Sequence, residues 1–193
     1  MLSPKTMPRD DAARPTGVRI LIAYEDFETG KRAQQVCREI TEAARSDAAI
    51  IPDAWKFDLL KLPPMRKMAV QEAAKADLLV LAPQDGEALP SFVLNWIRQS
   101  FQHVPRRPKL LLVLLGPPPE MGWDASPAEL QLRTIGTQAK VPMRCLHLEP
   151  PNGKWSEPGY APGDSEAVAQ AIFPRNPAAS VPVQSGFIAN LGG

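Results

Sequence analysis

A chain of 193 residues has room for one α/β domain with tails, or for a domain and a very small second unit. With 22 basic against 21 acidic residues it carries a net charge of +1, which gives no global attraction to nucleic acid or an anionic membrane. The longest apolar run, Leu110 to Leu115, falls far short of the roughly 18 residues that a membrane-crossing helix needs.

Residues 1–16 hold Pro4, Pro8 and Pro15 among charged and small residues, and read as a disordered lead-in with no secretory signal. Val18 to Tyr24 is a buried strand. A loop, Tyr24 to Gly30, follows, and Lys31 to Ser46 is a helix with Ala33, Val36, Cys37, Ile40 and Ala44 on one face. Ala48 to Phe57 is a second strand whose Pro52 places it at a sheet edge. Leu59 to Pro64 is a connector. Met65 to Ala76 is a helix with Met68, Ala69, Ala73 and Ala76 inward.

Asp77 to Leu81 is a third strand, continuous in apolar character and so covered on both faces. The loop Ala82 to Ala88 leads to a helix opened by Leu89 and Pro90. Its stripe holds Phe92, Val93, Trp96, Ile97, Phe101 and Val104. Lys109 to Gly116 is a fourth strand, ended by Pro117-Pro118-Pro119. Ser126, Pro127 and Glu129 spell a capping box, opening a helix to about Lys140 with Leu130, Ile135 and Ala139 inward. Met143 to Leu148 is the fifth strand. The remainder, 149–193, is Pro- and Gly-rich and mostly irregular, with one helical patch at Asp164 to Phe173.

This alternation predicts a three-layer α/β sandwich on a five-stranded parallel sheet, doubly wound, over residues 17–148. In such sheets ligands sit at the carboxyl ends of the strands, so the loops 24–30 and 82–88 are the candidate site. Cys37 and Cys145 form no CxxC pattern and read as buried reduced thiols, which fits a cytosol. His103 and His147 suit neither a catalytic triad nor a metal centre.

Three segments resemble the NADPH-dependent FMN reductases, a branch of the flavodoxin-like fold. Phe57-Asp58-Leu59-Leu60-Lys61-Leu62-Pro63 is similar to that family's "iDLrdLP". Ala82-Pro83-Gln84-Asp85-Gly86-Glu87-Ala88-Leu89-Pro90 has the length and both prolines of its "TPEYNGSIP" flavin loop. Asn95 stands where its "lKNalDW" helix has Asn, and Leu132-Arg133 matches its "Lr". The resemblance implies an FMN-dependent NAD(P)H oxidoreductase. In it, backbone groups of Pro83, Gln84, Asp85 and Gly86 meet the flavin, and Thr29, Gly30 and Lys31 meet its phosphate. Trp123, in the loop after the fourth strand, would stack on the ring or line a partner surface.

The departures fall on the functional positions. The family's Thr, Glu, Tyr and Asn become Ala82, Gln84, Asp85 and Gly86, and its helix Lys, Asp and Trp become Leu94, Arg98 and Gln99. In the first loop Glu25, Asp26 and Glu28 oppose a phosphate dianion. The expectation is therefore a degenerate, non-catalytic binding or regulatory module that holds no cofactor, with the FMN-bound oxidoreductase as the alternative. Its partner would be a protein or a small molecule, or a second copy of the chain. A pseudo-receiver domain, with Glu25 and Asp26 as Mg²⁺ ligands, is a further alternative, but Ala82 stands where that fold needs its phosphorylated Asp. Arg98, His103, Arg106, Arg107 and Lys109 form a basic run that favours a helix C-terminus or meets an anion.

Overall fold

The computed structural model describes residues 17–44, 50–102, 108–116, 125–147 and 168–170. Its elements are β1 (Val18–Tyr24), α1 (Phe27–Ala44), β2 (Ile50–Lys56), a 3₁₀ turn (Phe57–Lys61) and α2 (Pro63–Ala73). They continue with β3 (Leu78–Ala82), α3 (Ser91–Gln102), β4 (Leu110–Leu115), α4 (Pro127–Ala139) and β5 (Met143–His147). All pairings are parallel and the strand order is β2-β1-β3-β4-β5. That is the doubly wound, flavodoxin-like order.

Alternate residues of the central strands feed two cores, as the pleat requires. Leu21, Ala23, Leu79, Leu81, Leu111, Val113 and Leu115 face α2, α3 and α4, where Ala69, Val93, Trp96, Ile97 and Leu132 meet them. Ile20, Ile22, Leu78, Val80, Leu110, Leu112 and Leu114 face α1, through Ala33, Val36, Cys37 and Ile40. Val168 and Ala169, helical and buried, join this second core beside Leu146. The other residues expected in the two tails lie outside the described ones.

The amino end of the sheet is tied by one side chain. Asp77 Oδ2 accepts from the Arg19 N–H at 3.1 Å, and Oδ1 pairs with Lys109 Nζ at 2.8 Å. Its backbone N–H donates to Arg19 O at 2.8 Å, and its carbonyl accepts from the Lys109 N–H at 2.8 Å. One aspartate thus links the starts of β1, β3 and β4. Lys109, expected in the basic run, is spent here.

Helix phases differ from the expected ones in two places. Leu130 and Met68, expected inward, are 55% and 53% exposed. In α4 the buried positions are Ala128, Glu129, Leu132, Ile135 and Gly136, and in α2 they are Ala69, Val70 and Ala73. The buried face of α4 centres on Leu132 and Ile135 and that of α2 on Ala69, Val70 and Ala73, which turns Leu130 and Met68 outward. In α3, Leu94 and Ser100 are buried with the expected Val93, Trp96, Ile97 and Phe101, while Phe92 is only partly buried.

Candidate functional site

The strand order reverses between β1 and β3, so the crevice between the loops after these strands is where the fold places a ligand. The first loop is shorter than the spacing of its glycine suggests. α1 begins at Phe27, leaving only Glu25 and Asp26 between strand and helix. Thr29, Gly30 and Lys31, expected in a phosphate loop, are the third, fourth and fifth residues of α1.

The cause is local hydrogen bonding. Asp26 Oδ1 accepts from the Thr29 N–H at 2.8 Å. In return Thr29 Oγ1 accepts from the Asp26 N–H and donates to Asp26 O, each at 3.0 Å. This reciprocal cap satisfies donors that a helix start otherwise offers to an anion. Thr29 is buried at 2% exposure. Gly30 serves packing: a Cβ there would lie 2.9 Å from the Tyr24 ring. Lys31 is exposed.

The second loop is held from both sides. Glu25 Oε2 accepts from the Gln84 N–H at 2.8 Å, and the Glu25 N–H donates to Ala82 O at 3.1 Å, so Glu25 joins the ends of β1 and β3. Asp85 Oδ1 accepts from the Glu87 N–H at 2.9 Å, and Gln131 Oε1 from the Leu89 N–H at 2.9 Å. Gly86 packs on the start of α4. Its carbonyl accepts from the Ala128 N–H at 3.1 Å, and a Cβ on it would lie 2.8 Å from Ser126 Cβ. Pro83 is buried, and Gln84 and Asp85 are exposed. Trp123 lies outside the described residues.

The structure ties the two loops through Glu25 and Gln84, buries Thr29 and Gly30 within α1, packs Gly86 against Ser126, and leaves Asp85 and Lys31 exposed. Glu25 as a clamp on loop 83–88, and Gln131 as its second anchor, were not readable from the sequence. Glu25 and Gln84 are 59 residues apart, and a lone glutamate carries no local sign of such a bond. The Ser126 cap could be read, with Ser126 Oγ accepting from the Glu129 N–H at 3.2 Å. Its contact with Gly86 could not.

Electrostatically the crevice mouth is acidic, with Glu25, Asp26, Glu28, Asp85 and Glu87 on the two loops and the first turn of α1. Burial lowers the pKa of the nearby Arg32, and Asp26 and Glu28 act in the opposite direction. These residues do not fit an FMN phosphate. The Thr29 and Gly30 N–H groups and the Thr29 hydroxyl are engaged with Asp26, and carboxylates occupy the approach. A like charge near 4 Å costs about 1 kcal/mol in water and about 4 kcal/mol at a partly screened site. Two such contacts offset the roughly 1.5–3 kcal/mol of a charged hydrogen bond.

A second polar cluster lies on α4 and the edge strand β5. Glu129 is buried at 3% exposure; its Oε1 accepts from Arg133 Nε at 2.9 Å and from Nη2 as well. The Glu129 bond holds the Arg133 pKa above its ordinary value. His147 Nε2 is 3.8 Å from Glu129 Oε2, and Nδ1 is 3.3 Å from Gly116 O. Burial, with Glu129 second, pushes the Cys145 thiol up to about 12. Such a thiol stays protonated and is a poor nucleophile. Among the described residues no group of three or more His, Cys, Asp or Glu could hold a metal ion. Asn95 is exposed and receives a long contact from Arg98 Nη1, at 3.4 Å.

No protein-family model matches the chain, and no curated protein matches it by sequence. Solved structures do. Smu.1420 from Streptococcus mutans UA159 is 12% identical with a TM-score of 0.46, over 80% of this chain and 96% of that one. An oxidoreductase from Corynebacterium diphtheriae is 11% identical with a TM-score of 0.47, over 81% and 97%.

Proposed function

We propose that this chain is a flavodoxin-like binding or regulatory module, related in framework to the FMN reductases, that performs no flavin chemistry. The Glu25–Gln84 bond carries this reading, because it places a carboxylate of the protein across the crevice where the fold would present backbone N–H groups to a ligand. The Asp26–Thr29 cap supports it from the side of the phosphate. What remains for recognition is the acidic rim with Phe27, 76% exposed, between Asp26 and Glu28 in the chain. An apolar ring framed by carboxylates suits a basic protein partner better than an anionic nucleotide.

Purified protein tests the proposal through its colour and its melting temperature. The reading expects no absorbance band near 450 nm and no rise in Tm with added FMN, since a ligand that binds only the native state must raise it. A yellow protein, or an FMN-dependent shift, would overturn this reading in favour of the FMN-binding alternative. The double variant Glu25→Ser, Asp26→Ser separates charge from shape. Gain of FMN affinity means repulsion excluded it, and no gain means that the two-residue loop is too short.

A further inference from the structure

The sheet ends on β2 at one side and on β5 at the other, and the two edges differ. In β1, Arg19 O and the Glu25 N–H bond toward β3, so Ile20 and the other even residues serve β2. Ile20 stands opposite Pro52, so its bonds run to Ile51 and Asp53, and Pro52 turns its backbone outward. An outer edge with a missing N–H is a poor template for another strand. In β5 the Leu111 N–H donates to Pro142 O at 2.9 Å, and Leu111 stands opposite Met143. Pro142, Arg144 and Leu146 therefore serve β4, while Met143, Cys145 and His147 turn each N–H and C=O outward. We infer that this edge pairs with β5 of a second copy of the chain, antiparallel, about a two-fold axis at Cys145.

Among the described residues no backbone group bonds to these outward amides and carbonyls. The flank of the strand is open. Arg144 is exposed, Met143, Cys145 and His147 are only partly buried, and a groove of about 470 Å³ borders Met143 and Cys145. The free row is symmetric about Cys145, so a two-fold axis matches every donor with an acceptor. Met143 exchanges bonds with His147 of the partner subunit, and Cys145 with its own equivalent. Between them Arg144 lies opposite Leu146 of the partner subunit, so no like charges face each other. One surface that satisfies itself is what a closed two-fold assembly requires. A net charge of +1 leaves two copies little to repel. The resulting mixed sheet, parallel within each copy and antiparallel at the junction, is a common arrangement. β5 stands apart from the crevice between β1 and β3, so the pairing leaves that site to a partner of its own. With five residues in the strand the contact is small, and the association is weak and concentration-dependent.

Amide hydrogen exchange on the full-length protein at about 20 μM and about 1 mM tests the pairing. At the higher concentration the Cys145 and His147 amides are expected to exchange at least about threefold more slowly, for a Kd near about 100 μM. The Arg144 and Leu146 amides, bonded to β4 in both states, keep their rates. Met143→Pro gives the first residue of β5 what Pro52 gives β2, a backbone without an outward N–H. In that variant the concentration dependence at Cys145 and His147 should vanish. The inference is overturned if these two amides exchange equally at both concentrations. Equal fast rates mean an edge left bare, and equal slow rates mean an edge covered by the chain itself. It is equally overturned if only other amides slow with concentration, or if folded Met143→Pro behaves as the parent does. The parent protein's rates decide the matter even where the variant fails to fold.

Discussion

The two ends of the sheet use their carboxylates in opposite ways. At the amino end Asp77 meets a cation, Lys109, and binds three strands together. At the carboxyl end Glu25 and Asp26 meet backbone N–H groups, and so occupy the donors that the fold would otherwise offer to a ligand. The same chemical group ties strand starts in one place and ties loop amides in the other. What decides is whether the N–H it takes belongs to the sheet or to a ligand loop. A flavodoxin-like strand order therefore locates a crevice without saying that the crevice is free.

The strongest way to break the carboxyl end is Gly86→Val. Its side chain would collide with Ser126 and separate loop 83–88 from α4, at a cost of about 2–3 kcal/mol in urea unfolding. A loss under about 0.5 kcal/mol would mean that the loop is not docked. The amino end is broken by Asp77→Ala, which leaves the Arg19 N–H unpaired and frees Lys109. About 2 kcal/mol is expected, with the crevice undisturbed. If Asp77→Ala also alters the loop after β3, the two ends are not independent.

The smallest effect sharpens the comparison through the core beneath both ends. Burial pushes the Cys37 thiol up to about 12, above its ordinary range near 8.5. A raised folded-state pKa gives stability that is complete below about pH 8.5 and is lost as pH climbs toward 12. By pH 9.5 the loss is about 1 kcal/mol. The Cys145 thiol, raised to a similar value, adds a like loss, so Cys37→Ala should about halve that part of the pH–stability slope, measured by urea midpoints between pH 7.5 and 9.5. A slope unchanged in the variant would assign the alkaline loss to other groups.

Much of the fold could be read from the order of its segments. Continuous apolar runs marked β3 and β4, Pro52 marked the edge at β2, and Ser126 with Glu129 marked the start of α4. Where α1 begins was harder. Glu25, Asp26 and Glu28 read as a charged loop, because a run of acids looks solvated and exposed Phe27 gives no inward face. Yet Asp26 caps the helix and pulls its start forward to Phe27. Leu130 and Met68 misled for another reason, since apolar residues stand on both sides of these helices and apolar character alone does not choose the buried face. The candidate site was legible as a pair of loops and illegible as a bonded pair. Spacing locates Gln84 and Glu25, but only the parallel register of Ala23 with Leu81 and Tyr24 with Ala82 brings them within a hydrogen bond.

The Glu25–Gln84 bond is therefore the point on which the account stands, and amide hydrogen exchange at Gln84 measures it. The Gln84 amide should exchange at least about tenfold more slowly in the native protein than in the Glu25→Ala variant, with the core amides of β3 unchanged in both. Equal exchange at Gln84 in the two proteins would contradict the account and leave the crevice open.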